Sequence, residues 1–395
     1  MVLTEANYRS RVKRIQEEIA TRNIDAIVLG RPQSSYYVTG YNAIIYTRPI
    51  YAVLTQFGDP ILVLPYLRES HAKDESPWVN DMRVYFEFPV LGRTFPTDAL
   101  AALEETLAEK KVLNKTIGIE MEHISATDFS KIQRTFPDAK HVDVSTLIDE
   151  MKCVKDQDEI EAIKAACELS DIAMNEAGEA LREGRTERDI FMKATQAMAD
   201  EWRRQYSHLS FAGFQNESYA SHMGCASGPR NQLRLGSHIP SEREVEDGDG
   251  VTVIAVPSLN CYHGELERTF LVGKPKETLV RMFKAVLEAR EKAFEQMRPG
   301  ATCSQIDEAA RDVFKKHGML DYIRHRSGHS IGLELHERPL LRAGDTTVLQ
   351  PNMVFAVEPG LYEDGVGGVR HSDTVRVTST GFEFLTKYDR GFLTR

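Results

Sequence analysis

Along the first part of the chain, short apolar runs alternate with longer stretches whose apolar positions recur every three or four residues. Runs bounded by turn residues predict buried strands, and the longer period predicts amphipathic helices. The pattern gives a helix over 5–22 and strands at DAIVLG (25–30) and YAVLTQ (51–56). GDPILVLP (58–65) is the return strand of a hairpin, with Gly58-Asp59 in its turn. A helix over 99–111 and a strand over 116–122 follow, which together predict a small α/β domain over residues 1–150.

The remainder, 151–395, predicts a larger α+β domain. It opens on a long helix over 153–184, where Ile160, Ile163, Cys167, Ile172 and Met174 approximate one face and an acidic run suits the helix start. A second helix covers TERDIFMKATQAMADEWRR, with strands in GVTVIAV (250–256) and CYHGELERTFLVG (261–273). Helices around 277–297 and 304–317 precede apolar strands at 353–358 and 368–377. No simple repeat or low-complexity tract interrupts the order.

Composition narrows the class. The chain has 395 residues, 42% hydrophobic and 27% charged, as expected of a two-domain globular protein. A formal net charge of −10 argues against a nucleic-acid or anionic-membrane partner. The five cysteines are scattered, with no Cys-x-x-Cys pair, so neither a zinc ribbon nor a disulfide framework is expected. The first twenty residues read as an amphipathic helix without an apolar signal core, and no run approaches a membrane span. A cytoplasmic location is the expectation.

Candidate chemistry concentrates in four stretches of the larger domain. SGPRNQLRLGSHIPSER holds His238, YHGELERTF (262–270) holds Glu265 and Glu267, SGHSIGLELHERP (327–339) holds His329 and His336, and VFAVEPG (354–360) holds Glu358. Glu265 and Glu267 are two apart on a predicted strand, so both carboxylates share a face just before Arg268. A single glutamate or histidine is usually a solvated strand end or a loop residue. Glu358 is the exception: behind Val354, Phe355, Ala356 and Val357 it should be partly buried and needs a partner. Together with His329 and Glu265 it predicts a polar floor in an apolar sheet, where perturbed pKa values concentrate.

The series GHSIGLELHERP, VEPGLY and GGVRHSDTV, preceded by an ERTF strand, resembles the creatinase/prolidase or "pita-bread" superfamily over the whole chain. The resemblance implies a small α/β N-terminal domain and an α+β catalytic C-terminal domain. Peptidases of this superfamily bind two divalent metals through five side chains. Matched to their motifs, Glu265, His329 and Glu358 fall on ligand positions, whereas the other two fall on Ile254 and Ser372. Two divalent cations need several carboxylate oxygens, so the expectation is no dinuclear centre and no cofactor, although the three remaining groups could hold one ion.

The strand SLNCYHGELERTF is closer to the metal-independent creatinase branch. That resemblance implies a C–N hydrolase acting on a small amidine or guanidine that carries a carboxylate. Glu267 and Glu358 would hold the cationic group, and His238 would be the acid/base, with the choice between His222 and His238 open. His329 and His336 would hydrogen-bond the intermediate or position the carboxylates. Arg48, with Tyr46, would grip the substrate carboxylate, assisted by Arg338 or Arg342. Glu265 adds a carboxylate to that pocket. A small zwitterionic substrate and a homodimer with its active site near the interface are implied as well. The alternatives are an Xaa-Pro metallopeptidase with a degenerate metal site, an ectoine hydrolase-type opening of a cyclic amidine, and a non-catalytic binder.

Overall fold

The computed structural model describes residues 3–44, 46–88, 94–183, 185–214, 221–233 and 238–394. The chain divides into two compact units, Val2–Met151 and Lys152–Arg395.

In the first unit the order is α1 (Glu5–Thr21), β1 (Ala26–Leu29), α2 (Pro32–Thr39), β2 (Tyr51–Thr55), β3 (Ile61–Pro65), α3 (Glu69–Glu75), β4 (Asp81–Tyr85), α4 (Ala99–Glu109), β5 (Thr116–Ile119), α5 (Ala126–Thr135), β6 (Lys140–Asp143) and α6 (Ser145–Cys153). The strands form one mixed sheet, β4-β3-β2-β1-β5-β6. β1, β2 and β3 pair antiparallel, and the outer neighbours are parallel. The predicted hairpin is present. Gly58, at its turn, has φ 92°, in the left-handed region that glycine enters without a Cβ penalty.

The second unit runs α7 (Gln157–Arg182), α8 (Glu187–Gln205), β7 (Ser221–Ser227), α9 (Pro229–Leu233), β8 (Gly250–Leu259), β9 (Tyr262–His263), β10 (Leu266–Leu271), α10 (Glu277–Gln296), α11 (Cys303–Lys316), β11 (Gly328–Ser330), β12 (Glu337–Leu341), β13 (Val354–Val357), β14 (Gly360–Glu363), β15 (Gly367–Arg370), β16 (Ser372–Val377) and β17 (Phe382–Phe384). Its main sheet has the order β12-β11-β13-β16-β10-β8-β7. β14 and β15 pair separately. The expected architecture, α/β followed by α+β, is observed.

Two predicted elements are each split. The helix expected over 153–184 begins at Gln157, because Asp156 and Glu159 form a reciprocal capping box that fixes its start. The strand expected over 368–377 breaks at His371, which separates β15 from β16. One face of the sheet is mainly apolar: Val251, Val253, Leu266, Phe270 and Val375 join a core with residues of α7, α10 and α11, around the buried Arg268–Asp373 pair. The opposite face of the same strands carries the polar residues. No helix among the described residues is long and apolar enough to cross a membrane.

Candidate active site

Strand pairing sets the geometry. β10 is flanked by β8 and β16, and Glu267 is the register partner of Ile254 on one side and of Ser372 on the other. Residues of one rung point to one face, so Ile254, Glu267 and Ser372 stand side by side. Glu265, at the same face, precedes the strand, and Ile254 and Val256 of β8 are two apart. Ile254, Val256, Glu265 and Glu267 wall a cavity of about 180 Å³, closed by His325, Arg326, Leu335, His336, Glu358 and Arg370. The intervening residues point away. Arg268 is fully buried on the core side and meets Asp373 at 2.9 Å.

Three groups converge at the floor. Glu265, His329 and Glu358 each place a ligand atom within 4.8 Å of the other two, and all three are buried. His329 Nδ1 lies 3.0 Å from the Ser330 carbonyl, so that nitrogen donates its proton and Nε2 turns inward. Nε2 sits 3.4 Å from Glu265 Oε2 and 3.5 Å from Glu358 Oε1. Both distances are long for an N–H···O bond. Burial opposes charge on Glu265, but His329 outweighs it and holds the carboxyl down at about 2. Burial likewise opposes charge on His329, and Glu265 more than offsets it, so its pKa is raised.

An ion pair occupies the adjoining wall. Arg370 meets Glu267 with Nη2 at 2.6 Å from Oε1 and Nε at 2.5 Å from Oε2, and its Nη1 is 3.5 Å from Glu358. Burial opposes the guanidinium charge, but Glu267 raises the Arg370 pKa above its ordinary value. Ser372 Oγ donates to Glu265 Oε1 at 2.6 Å.

A divalent cation fits one position here. His329 Nε2 faces the gap between two carboxylate oxygens, and the donor set of two carboxylates and one imidazole suits such an ion. A second ion does not fit. Ile254 offers no donor, and the Ser372 hydroxyl is already committed to Glu265.

Not every candidate residue joins the cavity. His329 and His336 do meet, edge to face, with ring centroids 4.3 Å apart. His336 is open to solvent along one edge; the surrounding protein and the neighbouring His329 push its pKa down to about 4. His238 is fully buried off the cavity wall, with Nε2 3.2 Å from Asn231 Oδ1. Asn231 in turn donates to Thr252, whose hydroxyl meets Thr269. His222 lies in β7, and its side chain is outside the described residues. Arg338 and Arg342 are exposed and do not line the cavity. In the first unit, Arg48 pairs with Glu87 at 3.0 Å, and Tyr46 hydroxyl donates to Asn42 Oδ1 at 3.1 Å.

Three basic cavity residues escaped the sequence analysis. Arg370 stands in the quoted GGVR segment, where it reads as an ordinary strand residue. His325 and Arg326 precede SGH, and only the clustering of basic residues in RHRSGH marks them.

Comparison with known proteins places these features. Residues 161–379 match the model of metallopeptidase family M24, and residues 11–154 match the creatinase/prolidase N-terminal domain. An Xaa-Pro dipeptidase of Pyrococcus furiosus is 30% identical over 98% of this chain and 100% of its own. The prolidase of Pyrococcus horikoshii superposes with a TM-score of 0.80 at 29% identity, covering 97% of this chain and 100% of the other. The X-Pro aminopeptidase of Thermotoga maritima gives 0.80 at 28%, covering 98% and 99%.

The pita-bread fold is thereby established, and the metal-independent, creatinase-like amidine chemistry is overturned. Its strongest support was the local string ELERTF. Whole-chain similarity runs to Xaa-Pro peptidases, and Glu267, the residue that would have cradled the substrate cation, already holds Arg370.

Proposed function

Since the chain belongs to metallopeptidase family M24, we propose that it is a cation-assisted peptidase of the Xaa-Pro type, working with one divalent ion. The observation that carries this is the convergence of Glu265, His329 and Glu358, with His329 Nε2 directed between two carboxylate oxygens. These three residues would hold the ion. When bound, it would polarise the scissile carbonyl and stabilise negative charge developing on its oxygen.

The chain's own groups divide the remaining work by how far each is already committed. Glu267 spends both oxygens on Arg370, and Glu265 accepts a hydrogen bond from Ser372. Glu358 has only contacts of 3.5 Å. It is therefore the least committed of the three carboxylates, and besides helping to hold the ion it would take a proton from the attacking water. Neutral His336, at the open edge, is placed to hydrogen-bond the substrate. Ile254, Val256 and Leu335 give the apolar wall that a proline ring would meet.

The test is direct. Purified protein is loaded with manganese, cobalt or zinc, desalted, analysed for bound metal, and assayed on Xaa-Pro dipeptides with and without chelator. About one ion per chain and chelator-sensitive cleavage are expected. Cleavage that survives complete removal of the ion, or no cleavage of any proline peptide, would overturn the assignment.

A further inference from the structure

We infer that Lys155 is a positioning residue for the cation site: it fixes the irregular strand pairing that aims His329 at Glu265 and Glu358. The inference rests on the peptidase reading above and adds what holds its histidine ligand in place.

β11 pairs regularly with β13, where Gly328, His329 and Ser330 face Val357, Ala356 and Phe355. On its other side the register with β12 slips just after His329. His329 faces Leu340 but Ser330 faces Glu337, so Arg338 and Pro339 have no partner on β11. Irregularities of this kind re-aim side chains beside active sites. Here the imidazole is steered by its own neighbour. His329 Nδ1 donates to the Ser330 carbonyl at 3.0 Å, which leaves Nε2 facing the two carboxylates. The direction of Nε2 therefore depends on where Ser330 sits.

Lys155 sets that position. Its backbone N–H donates to the Asn352 carbonyl at 3.1 Å, on the segment leading into β13. Its buried side chain ends on the pair at which the register resumes: Nζ donates to Ser330 Oγ at 2.9 Å and to Glu337 Oε2 at 3.0 Å. A third contact, to the Cys153 carbonyl at 3.4 Å, uses the last proton of the ammonium group. One residue thus spans β12, β11 and the entry to β13. Lys152, also buried, holds Glu334 at 2.8 Å, and the Glu334 N–H donates to Glu337 Oε1 at 3.3 Å. The turn that brings Leu335 and His336 to the cavity is gripped by the same two lysines.

Neither lysine lines the cavity, so both act through the strands. Packing alone does not call for the ion pair, because apolar side chains of similar volume are often as stable as a buried pair that has lost its hydration. Apolar side chains would not hold the Ser330 hydroxyl. Groups bonded behind a metal ligand orient it, and losing one weakens metal affinity by about 10- to 100-fold.

The experiment compares the wild type with two variants. Ser330→Ala removes one bond and keeps the ion pair. Lys155→Met with Glu337→Met replaces the pair by apolar side chains and leaves Lys152 on Glu334. Manganese affinity is measured by titrating the metal-free proteins, together with their thermal midpoints and their hydrogen exchange. Both variants are expected to bind manganese at least about 10-fold more weakly, with thermal midpoints close to the wild type. Exchange should quicken over residues 328–337 and nowhere else. Wild-type affinity in both variants would overturn the role of Lys155 and leave the peptidase reading standing. Faster exchange across the whole second unit would mark general loosening and refute it too. If the double variant folds poorly, Ser330→Ala decides by the same readings. If the wild type binds no manganese, the cation-assisted reading falls. Exchange in the metal-free proteins then decides on Lys155: an unchanged 328–337 segment refutes it, and faster exchange confined to that segment upholds it.

Discussion

Arg370 and Glu267 form a two-point ion pair in the wall of the cavity, at 2.5 and 2.6 Å, with both residues less than a tenth exposed. A buried pair of this kind contributes little relative to an apolar pair of the same shape, because both ions lose their hydration. Removing one member is a different matter, since the other charge is then stranded.

Arg370→Met should therefore destabilise the protein by about 3–5 kcal/mol. Glu267→Gln should cost less, because Glu358 at 3.5 Å remains as a partner for the guanidinium. The double replacement, Arg370→Met with Glu267→Gln, should recover part of the loss. Urea midpoints for the three variants check this. A double variant as unstable as the sum of the singles would show that the two residues are not coupled.

The cation site gives a second expectation. His329→Ala and Glu265→Gln should each reduce bound manganese or zinc from about one ion per chain to near zero after desalting, because three donors leave no spare ligand. Arg326→Gln should leave the metal content unchanged. Retention of a full equivalent in His329→Ala would place the ion elsewhere.

Much of this arrangement was legible in the sequence, and the failures have physical causes. The period-two spacing of Glu265 and Glu267 located the polar face of β10, and the apolar run before Glu358 marked that carboxylate as buried. Arg370 was invisible because its partner is more than a hundred residues away, brought alongside only when β15 folds back past β10. The break at His371 had no breaker residue to announce it; it arises where the chain leaves the β14–β15 ribbon for the main sheet. The ELERTF string misled because a matching string fixes which face a residue takes, and the function depends on what stands opposite. Glu267 has the position of a cation cradle, but the cation it holds belongs to the protein. His238 fits the same account. Its sequence context suggested an acid/base, whereas it is packed behind Asn231 and linked through Thr252 to Thr269.

The rung Ile254–Glu267–Ser372 gives a third prediction. Its central member carries the carboxylate and its outer members carry none, so the rung can be inverted. Ile254→Asp with Glu267→Thr and Ser372→Glu should raise the cation content from about one ion per chain toward two. A carboxylate at position 254, where the side chain is 1% exposed, is stable only when compensated. Chelator should accordingly lower the thermal midpoint of the triple variant well beyond its effect on the wild type. Unchanged stoichiometry would mean that something other than this rung excludes the second ion.

A last prediction concerns pH. Glu337 is buried beside Lys155 at 3.0 Å and Lys152 at 3.9 Å, and Lys155 also donates to Ser330 of β11, next to His329. Burial opposes ionisation of Glu337, but Lys155 and then Lys152 outweigh it, so its pKa lies below the ordinary 4.5. A carboxyl depressed in the folded state binds its proton more readily when unfolded. Its stabilising contribution is therefore fully present above pH 4.5 and is lost as pH falls from there through the depressed folded value. Lys155→Met removes the larger of the two attractions. It should destabilise the protein at neutral pH by about 3 kcal/mol or more, because Glu337 stays buried with the more distant Lys152 and the Glu334 N–H to compensate its charge. It should also flatten the acid limb of the stability profile, since the folded pKa of Glu337 then rises toward its unfolded value. Urea midpoints recorded from neutrality down to about pH 3 for the wild type and Lys155→Met would show the two curves converging as the pH drops. Curves that stay parallel across that window would mean that Glu337 draws its low pKa from another source.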